Sequence, residues 1–295
     1  MMNEELKKQL RNRRICVVIP TYNNDKTIKT VVEKCLLYCD DVIVVTDGCT
    51  DRTTNILDAI DGITIVSYPQ NRGKGYALKM GLRKALEMGF SYAITLDGDG
   101  QHYPEDIPLF LKANQEYPQS LIIGSRQLEG VDRSKGSSFA NKFSNFWFYV
   151  QTGRALPDTQ TGYRLYPLHR LCGLSLLTSR YEAELELLVF ASWHGVKLIP
   201  IPVQVYYPPR NERVSHFRPG KDFARISVLN TVLCFLAVVY GLPLRLWRTL
   251  MTFLRTAYSL LFFLFFTLVV FTPFVWIYTK IGKMTERRRY RLHQL

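Results

Sequence analysis

The sequence predicts an α/β domain built on a mostly parallel sheet, followed by apolar helices suited to a membrane. Three observations carry that expectation. Short β-branched runs alternate with amphipathic helical patterns over the first two hundred residues, acidic and Gly-bearing turns follow the runs, and two long uncharged stretches come late in the 295-residue chain. Ile15–Pro20, Val42–Thr46, Ile63–Ser67, Tyr92–Leu96 and Leu121–Gly124 read as buried strands. Between the first two, Ile28, Val31, Val32, Cys35 and Leu36 recur at helical spacing. A capping signal at Thr50 and Asp51 opens a helix over Asp51–Ile60, and Tyr76–Met88 makes a third. Such alternation means βαβ units with the sheet covered on both faces. An aromatic-rich stretch (Phe139–Val150), a helix signal (Tyr181–His194) and a strand-like run (Lys197–Tyr206) complete this part.

Charge separates the chain into two regions. From Tyr206 onward there are 14 Lys and Arg against 3 acidic residues, whereas the preceding part holds 24 against 22. The positive charge therefore flanks the apolar runs, which suits an anionic membrane surface and argues against nucleic acid. Ile226–Leu244 holds 19 residues without a charge and Thr256–Thr279 holds 24. About 20 apolar residues cross a bilayer, so the second clears that length and the first is borderline; Gly241 and Pro243 make an interfacial helix its alternative. The positive-inside rule favours a two-helix hairpin, with Arg218, Lys221 and Arg225 and the cluster from Lys280 to Arg291 in the cytosol and Arg245, Arg248 and Arg255 outside. The expected organisation is a basic N-terminal segment (1–14), a catalytic domain (15–210), a basic juxtamembrane loop (211–225), two apolar helices (226–280) and a basic cytosolic tail (281–295). Residues 1–14 lack the apolar core of a signal peptide, and the six cysteines show no metal or disulfide spacing, so the catalytic part is expected to face the cytosol at the inner membrane.

Ligands of open α/β sheets bind at the carboxyl ends of the strands. Those ends carry Pro20-Thr21-Tyr22-Asn23-Asn24, Asp47-Gly48-Cys49-Thr50-Asp51, Asp97-Gly98-Asp99-Gly100-Gln101-His102 and Ser125-Arg126. Asp97 and Asp99, with Gln101, offer hard oxygen ligands to Mg²⁺ or Mn²⁺, an ion that would neutralise a diphosphate. In isolation such a D-x-D is more often a surface turn; its place after a buried strand favours the site. Asn71-Arg72-Gly73-Lys74-Gly75 either cradles phosphate at a helix start or is a flexible turn, and its spacing is not that of a P-loop. Phe139, Phe143, Phe146 and Val150 share one helix face with Trp147 beside them, which means core packing or the floor of an acyl-chain path. His102, His169, His194 and His216 share no spacing and read as structural or surface residues.

In order along the chain, VVIPTYNN, VVTDGCTDRT, NRGKGYALKMGL, LDGDGQHYPEDIP, IIGSR and DTQTGYRLY resemble the signatures of glycosyltransferase family 2. The similarity spans about residues 15–222 and is nearest the polyprenyl-phosphate (dolichyl-phosphate) mannosyl- and glucosyltransferase branch. It implies a GT-A fold, Rossmann-like with a mostly parallel sheet, and inverting transfer of a hexose from a GDP- or UDP-sugar. The resemblance assigns Pro20, Tyr22, Val45 and Asp47 to the nucleotide, with Asn24 where the family often has Glu and Thr46 in place of the first Asp of D-D-G-S. It places Asp97, Gly98, Asp99 and Gln101 at the metal and diphosphate, and Arg126, Arg213 and Arg218 on the donor. Catalytic roles are expected of Asp99 and Arg126, and of Glu184 or Glu186 as general base, with Glu182 on the same helix. A lipid-phosphate acceptor needs no base, because a phosphate monoester (second pKa about 6) is already anionic at neutral pH. Thr161 and Arg164 would then shape the acceptor site. No Q-x-x-R-W occurs, which disfavours a processive polysaccharide synthase. The alternatives are the same fold acting on a lipid or saccharide hydroxyl and, remotely, a silent membrane scaffold.

Overall fold

The computed structural model describes residues 2–127, 135–174, 176–206, 219–267 and 272. Its strands are β1 (Ile15–Thr21), β2 (Val42–Asp47), β3 (Ile63–Tyr68), β4 (Tyr92–Thr95), β5 (Leu121–Arg126), β6 (Arg164–Pro167) and β7 (Leu198–Val203). They form one sheet in the order β3-β2-β1-β4-β6-β5-β7. β1 pairs in parallel with β2 and β4, β2 with β3, and β5 with β7. Only β6 runs antiparallel, between β4 and β5. β1, β2 and β4 are buried along their whole length, as uninterrupted Val/Ile runs covered on both faces must be.

The helices are α1 (Met2–Asn12), α2 (Ile28–Tyr38), α3 (Thr53–Asp58), α4 (Lys74–Glu87), α5 (Ile107–Glu116), α6 (Lys135–Thr152), α7 (Leu168–Leu171), α8 (Glu182–Trp193), α9 (Pro219–Leu236) and α10 (Leu242–Phe265). The five expected strands, the run after residue 197 and the helices expected between residues 28 and 194 are present. β6, α1, α5 and α7 go beyond the sequence reading. Met2–Asn12 is a helix because Leu6 and Leu10, four apart, seat it on the core while Lys7 and Arg11 pair with Asp40.

The chain divides into two units, residues 1–242 and 243–295. The hairpin expectation needs correction. Ala224–Phe265 is helical throughout, 42 residues, long and apolar enough to cross a membrane. Arg245, Arg248 and Arg255, expected on an external turn, are helical residues of α10, and residues 219–225 are already helical rather than loop. Leu-, Met- and Arg-rich sequence between 244 and 255 has high helix propensity and nothing to stop it. Gly241 and Pro243, which weaken the first run as a straight span, fall in and just after a π-turn at Ala237–Gly241, a distortion that tolerates the missing proline N–H. Residues 268–271 and 273–295 lie outside the described part.

Candidate active site

At the carboxyl end of β4 the chain turns through Asp97-Gly98-Asp99. Gly98 is required there: a Cβ would stand 2.8 Å from Thr21 Oγ1 and 3.1 Å from Ile28 Cδ1. Thr27 Oγ1 donates to the Gly98 carbonyl (2.7 Å), tying the turn to the start of α2. The Gln101 N–H donates to Asp99 Oδ1 (3.0 Å) and the Asp97 N–H to His102 Nδ1 (3.5 Å). Burial pushes His102 down to about 4, so this imidazole is neutral and braces the turn, as a structural histidine should. Beyond β7, the Tyr206 N–H donates to the Gln101 carbonyl (2.8 Å). Arg213 and Arg218 follow in the chain and lie outside the described residues.

Lys74, first residue of α4, centres the site's charge. Its ammonium lies 2.8 Å from Asp97 Oδ1, 3.0 Å from Oδ2 and 3.2 Å from Glu184 Oε2. Burial opposes charge on Asp97, but Lys74 beside it, together with further positive surroundings that include Arg126, holds its carboxyl below the usual range. Asp99 has no such partner: burial first, then the Asp97 charge, raise it to about 6. Two carboxylates, those of Asp97 and Glu184, thus share one ammonium. Gly162 lets a loop close over this pair, since a Cβ there would come within 2.8 Å of Asp97 Oδ2 and 2.9 Å of Lys74 Nζ.

These donors fit a hard divalent cation. Asp97 and Asp99 are oxygen ligands with surplus negative charge between them. Among the described residues no third His, Cys, Asp or Glu completes a cage. That is the pattern of Mg²⁺-type sites, which take one or two carboxylates and complete the shell with water and substrate phosphate. A cavity of about 550 Å³ opens beside Asp99 between α2 and the following loop, with Asn24, Thr27, Lys34, Tyr103 and Tyr206 in its wall. Its size suits a small-molecule ligand.

The other expected residues divide. Asn24 stands at the cavity and joins the loops after β1 and β2: its N–H donates to Thr53 Oγ1 (2.9 Å) and its amide to Thr21 Oγ1 (3.0 Å). Tyr22 is half-buried in the same loop. Pro20 and Val45, paired across β1 and β2, are buried, so Val45 offers no side-chain surface to a nucleotide. Asp47 is buried too: it accepts from the Arg72 N–H (2.7 Å), the Gly73 N–H (2.8 Å) and the Asn71 amide (3.0 Å). It braces the turn that delivers Lys74, whereas the resemblance expects it on the nucleotide.

Arg126 lies at the end of β5, clamped by Asp158: Nε and Nη2 donate at 2.6 and 3.0 Å. Asp158 also accepts from Asn141 of α6 (2.9 Å) and from the Gln160 N–H (3.1 Å). The acceptor assignment of Arg164 needs correction. It is fully buried, donating to the carbonyls of Glu184 (2.8 Å) and Thr159 (2.9 Å), where it holds α8 against the loop before β6. Thr161 is likewise buried and accepts the Tyr163 N–H. Glu186 is fully buried and caps the loop before α8 by accepting from the Leu177 and Thr178 N–H groups and the Thr178 hydroxyl, so it is no general base. Glu184 is held by Lys74, and Glu182 is buried with one oxygen lacking a partner. Asp158 opens the DTQTGYRLY run, but its pairing with Arg126, 32 residues away, was not legible in the sequence. The pairing of Lys74 with the acidic turn was equally invisible.

The pattern of the Glycosyl transferase family 2 matches residues 16–166. The chain is 29% identical over 216 residues to a UDP-N-acetylglucosamine–dolichyl-phosphate N-acetylglucosaminyltransferase of Methanococcus voltae, covering 65% of this chain and 86% of that protein. It is 29% identical over 208 residues to a polyprenol monophosphomannose synthase of Mycolicibacterium smegmatis, covering 65% and 77%. In fold it resembles glucosyl-3-phosphoglycerate synthase of Mycobacterium tuberculosis, solved with Mn²⁺, uridine-diphosphate and phosphoglyceric acid, at a TM-score of 0.60 and 19% identity over 80% of this chain and 82% of that one. The acidic turn at the carboxyl edge of a mostly parallel sheet and these similarities agree: the chain belongs to glycosyltransferase family 2, in its polyprenyl-phosphate branch, and is a glycosyltransferase.

Proposed function

We propose that the protein transfers a hexose, with inversion, from a GDP- or UDP-sugar to a polyprenyl-phosphate acceptor at the cytosolic face of a membrane. The observation that carries this reading is the cluster of Asp97, Asp99, Lys74 and Glu184 at the carboxyl edge of the sheet. Asp97 and Asp99 would hold Mg²⁺ or Mn²⁺, with Gln101 holding the turn; that ion supplies charge neutralisation for the departing diphosphate. Lys74 fixes the Asp97 carboxylate, and Asp158 fixes the direction of the Arg126 guanidinium, which would stabilise the same leaving group. Arg213 and Arg218 are proposed as further donor contacts.

The acceptor follows from what the site lacks. Glu184 is held by Lys74 and Glu186 by the Leu177 and Thr178 N–H groups, so neither is a ready base for a hydroxyl, while Glu182 is buried with one oxygen lacking a partner. A phosphate nucleophile arrives ionised and needs only positioning. The relatives named for dolichyl-phosphate and polyprenol substrates favour the same class, and the Ala224–Phe265 helix would hold the protein at the membrane where such lipids reside. The test is incubation of membranes holding the full chain with a panel of labelled nucleotide-sugars. Label should enter the organic phase and be released by mild acid. Acid-stable label in the lipid fraction would favour a hydroxyl acceptor, and no transfer from any donor would refute the reading.

A further inference from the structure

We infer that Lys74 is a positioning residue that competes with a divalent cation for Asp97, and that Glu184 is the second seat that lets it give way. Together the two set how tightly the site holds the ion. The inference rests on the metal reading above and goes beyond it. The Lys74 ammonium spans the bite of the Asp97 carboxylate, 2.8 Å from Oδ1 and 3.0 Å from Oδ2, and so takes the place where a cation would meet both oxygens. An added cation therefore meets a like charge at its own ligand, which opposes its binding. The third contact of the ammonium, Glu184 Oε2 at 3.2 Å, comes from a separate element, α8. The cluster holds three carboxylates, Asp97, Asp99 and Glu184, and one ammonium, so it is two positive charges short, which one divalent ion supplies. Arg126 nearby is matched by Asp158.

The surroundings fix the backbone of Lys74 and leave its side chain to respond. Asp47 accepts the Gly73 N–H (2.8 Å), and the Tyr76 N–H donates to the Ser179 carbonyl (2.8 Å). A Cβ at Gly75 would stand 2.3 Å from that of Ala183, so α4 and α8 touch there without room to slide. α4 therefore does not draw the ammonium off Asp97 as a body. A lysine has a flexible four-carbon stem and three rotatable donors, so it can keep Glu184 while loosening its hold on Asp97. Gly162 closes another side, since a Cβ there would come within 2.9 Å of Nζ, and Glu184 is the partner that remains. The arrangement spares Asp97 from standing as an unpaired buried carboxylate before a cation arrives, and it weakens metal binding in return.

The test reads metal binding itself and needs neither donor nor acceptor. Mn²⁺ is titrated into the full detergent-solubilised chain without nucleotide, and free Mn²⁺ is measured from its electron paramagnetic resonance signal. Lys74→Met keeps a long stem and removes the charge, and it should bind Mn²⁺ about tenfold more tightly than the parent. Loss of a merely structural brace would do the reverse. Glu184→Gln should weaken binding about threefold with Lys74 present, and by less in the Lys74→Met background, where no ammonium is left to hold aside. Circular dichroism checks each fold; should Lys74→Met unfold, Lys74→Gln, which can still donate to Asp97, carries the same expectation. Equal or weaker Mn²⁺ binding on loss of the Lys74 charge would overturn the proposal, as would a Glu184→Gln effect of the same size in both backgrounds. A parent that binds no Mn²⁺ would instead remove the metal reading, and this inference with it, whereas a parent that binds the ion confines any failure to the role of Lys74.

Discussion

Asp158→Asn tests whether the buried clamp on Arg126 organises this edge of the domain. Asp158 is 1% exposed and accepts five N–H groups, two of them from the guanidinium. Asparagine keeps the shape but removes the charge and turns an NH₂ toward donors, leaving Arg126 without its counter-ion. Breaking a buried pair on one side costs about 3–5 kcal/mol. The Arg126 side chain is 16% exposed and can turn partly to water, which favours the lower end, about 3 kcal/mol. For a unit of this size that is a fall in melting temperature of roughly 6–12 °C. The pH dependence has a definite sign. Burial opposes the charge on Asp158, but the hydrogen bond and charge of Arg126 prevail and hold its folded pKa below the usual value. Its contribution is therefore complete above the unfolded carboxyl pKa of about 3.9 and is lost as pH falls through the lowered folded value. The gap between parent and variant should stay constant from pH 8 to 5 and narrow only below about 4. The assay is thermal unfolding of the detergent-solubilised chain across that range. A variant melting within 2 °C of the parent, or a gap that closes between pH 7 and 5, would refute the reasoning.

Asp99→Asn should abolish transfer, as should EDTA on the parent, and full turnover in EDTA would sink the metal assignment. Gly162→Ala places a methyl group 2.8 Å from Asp97 Oδ2 and 2.9 Å from Lys74 Nζ. Displacing that pair should lower single-turnover transfer about 100-fold, a loss typical of an ångström-scale misplacement, while the fold survives by circular dichroism. Glu186→Gln weakens the cap on Leu177 and Thr178 and should cost about 1–3 kcal/mol of stability, read in urea unfolding. With a phosphate acceptor the folded fractions of Glu182→Gln, Glu184→Gln and Glu186→Gln should each keep transfer within about tenfold of the parent. A thousand-fold loss in one of them would instead reveal a base and a hydroxyl acceptor.

The sheet was legible because its strands are uninterrupted Val/Ile runs with turn residues at their carboxyl ends, a pattern that leaves few alternatives. β6 was not, because Arg164–Pro167 is four residues long and carries both an arginine and a proline. It becomes a strand only by filling the space between β4 and β5, where Arg164 reaches across to α8. α1 was hidden for a different reason: its apolar residues are few, and they bury against a core that local sequence does not reveal. The two-helix hairpin rests on the positive-inside rule, a statement about charge and not about the backbone, which is helical through Arg245, Arg248 and Arg255.

Within the site, position along the chain identified the acidic turn but not which partners its carboxylates would find. Arg164 and Glu186 carry charges that sequence reading sends to ligands, yet both are fully buried and consumed by backbone groups. A fully buried charge must be satisfied by its own protein, so residue type alone favours neither role. Asp97 and Asp99 differ by the same rule in reverse: one has Lys74, while the other is pushed up to about 6 because nothing comparable faces it. The incompletely neutralised member of the pair is where an added cation gains most. Under the proposed function the divalent ion would sit at Asp99, the carboxylate that the chain leaves less compensated than Asp97.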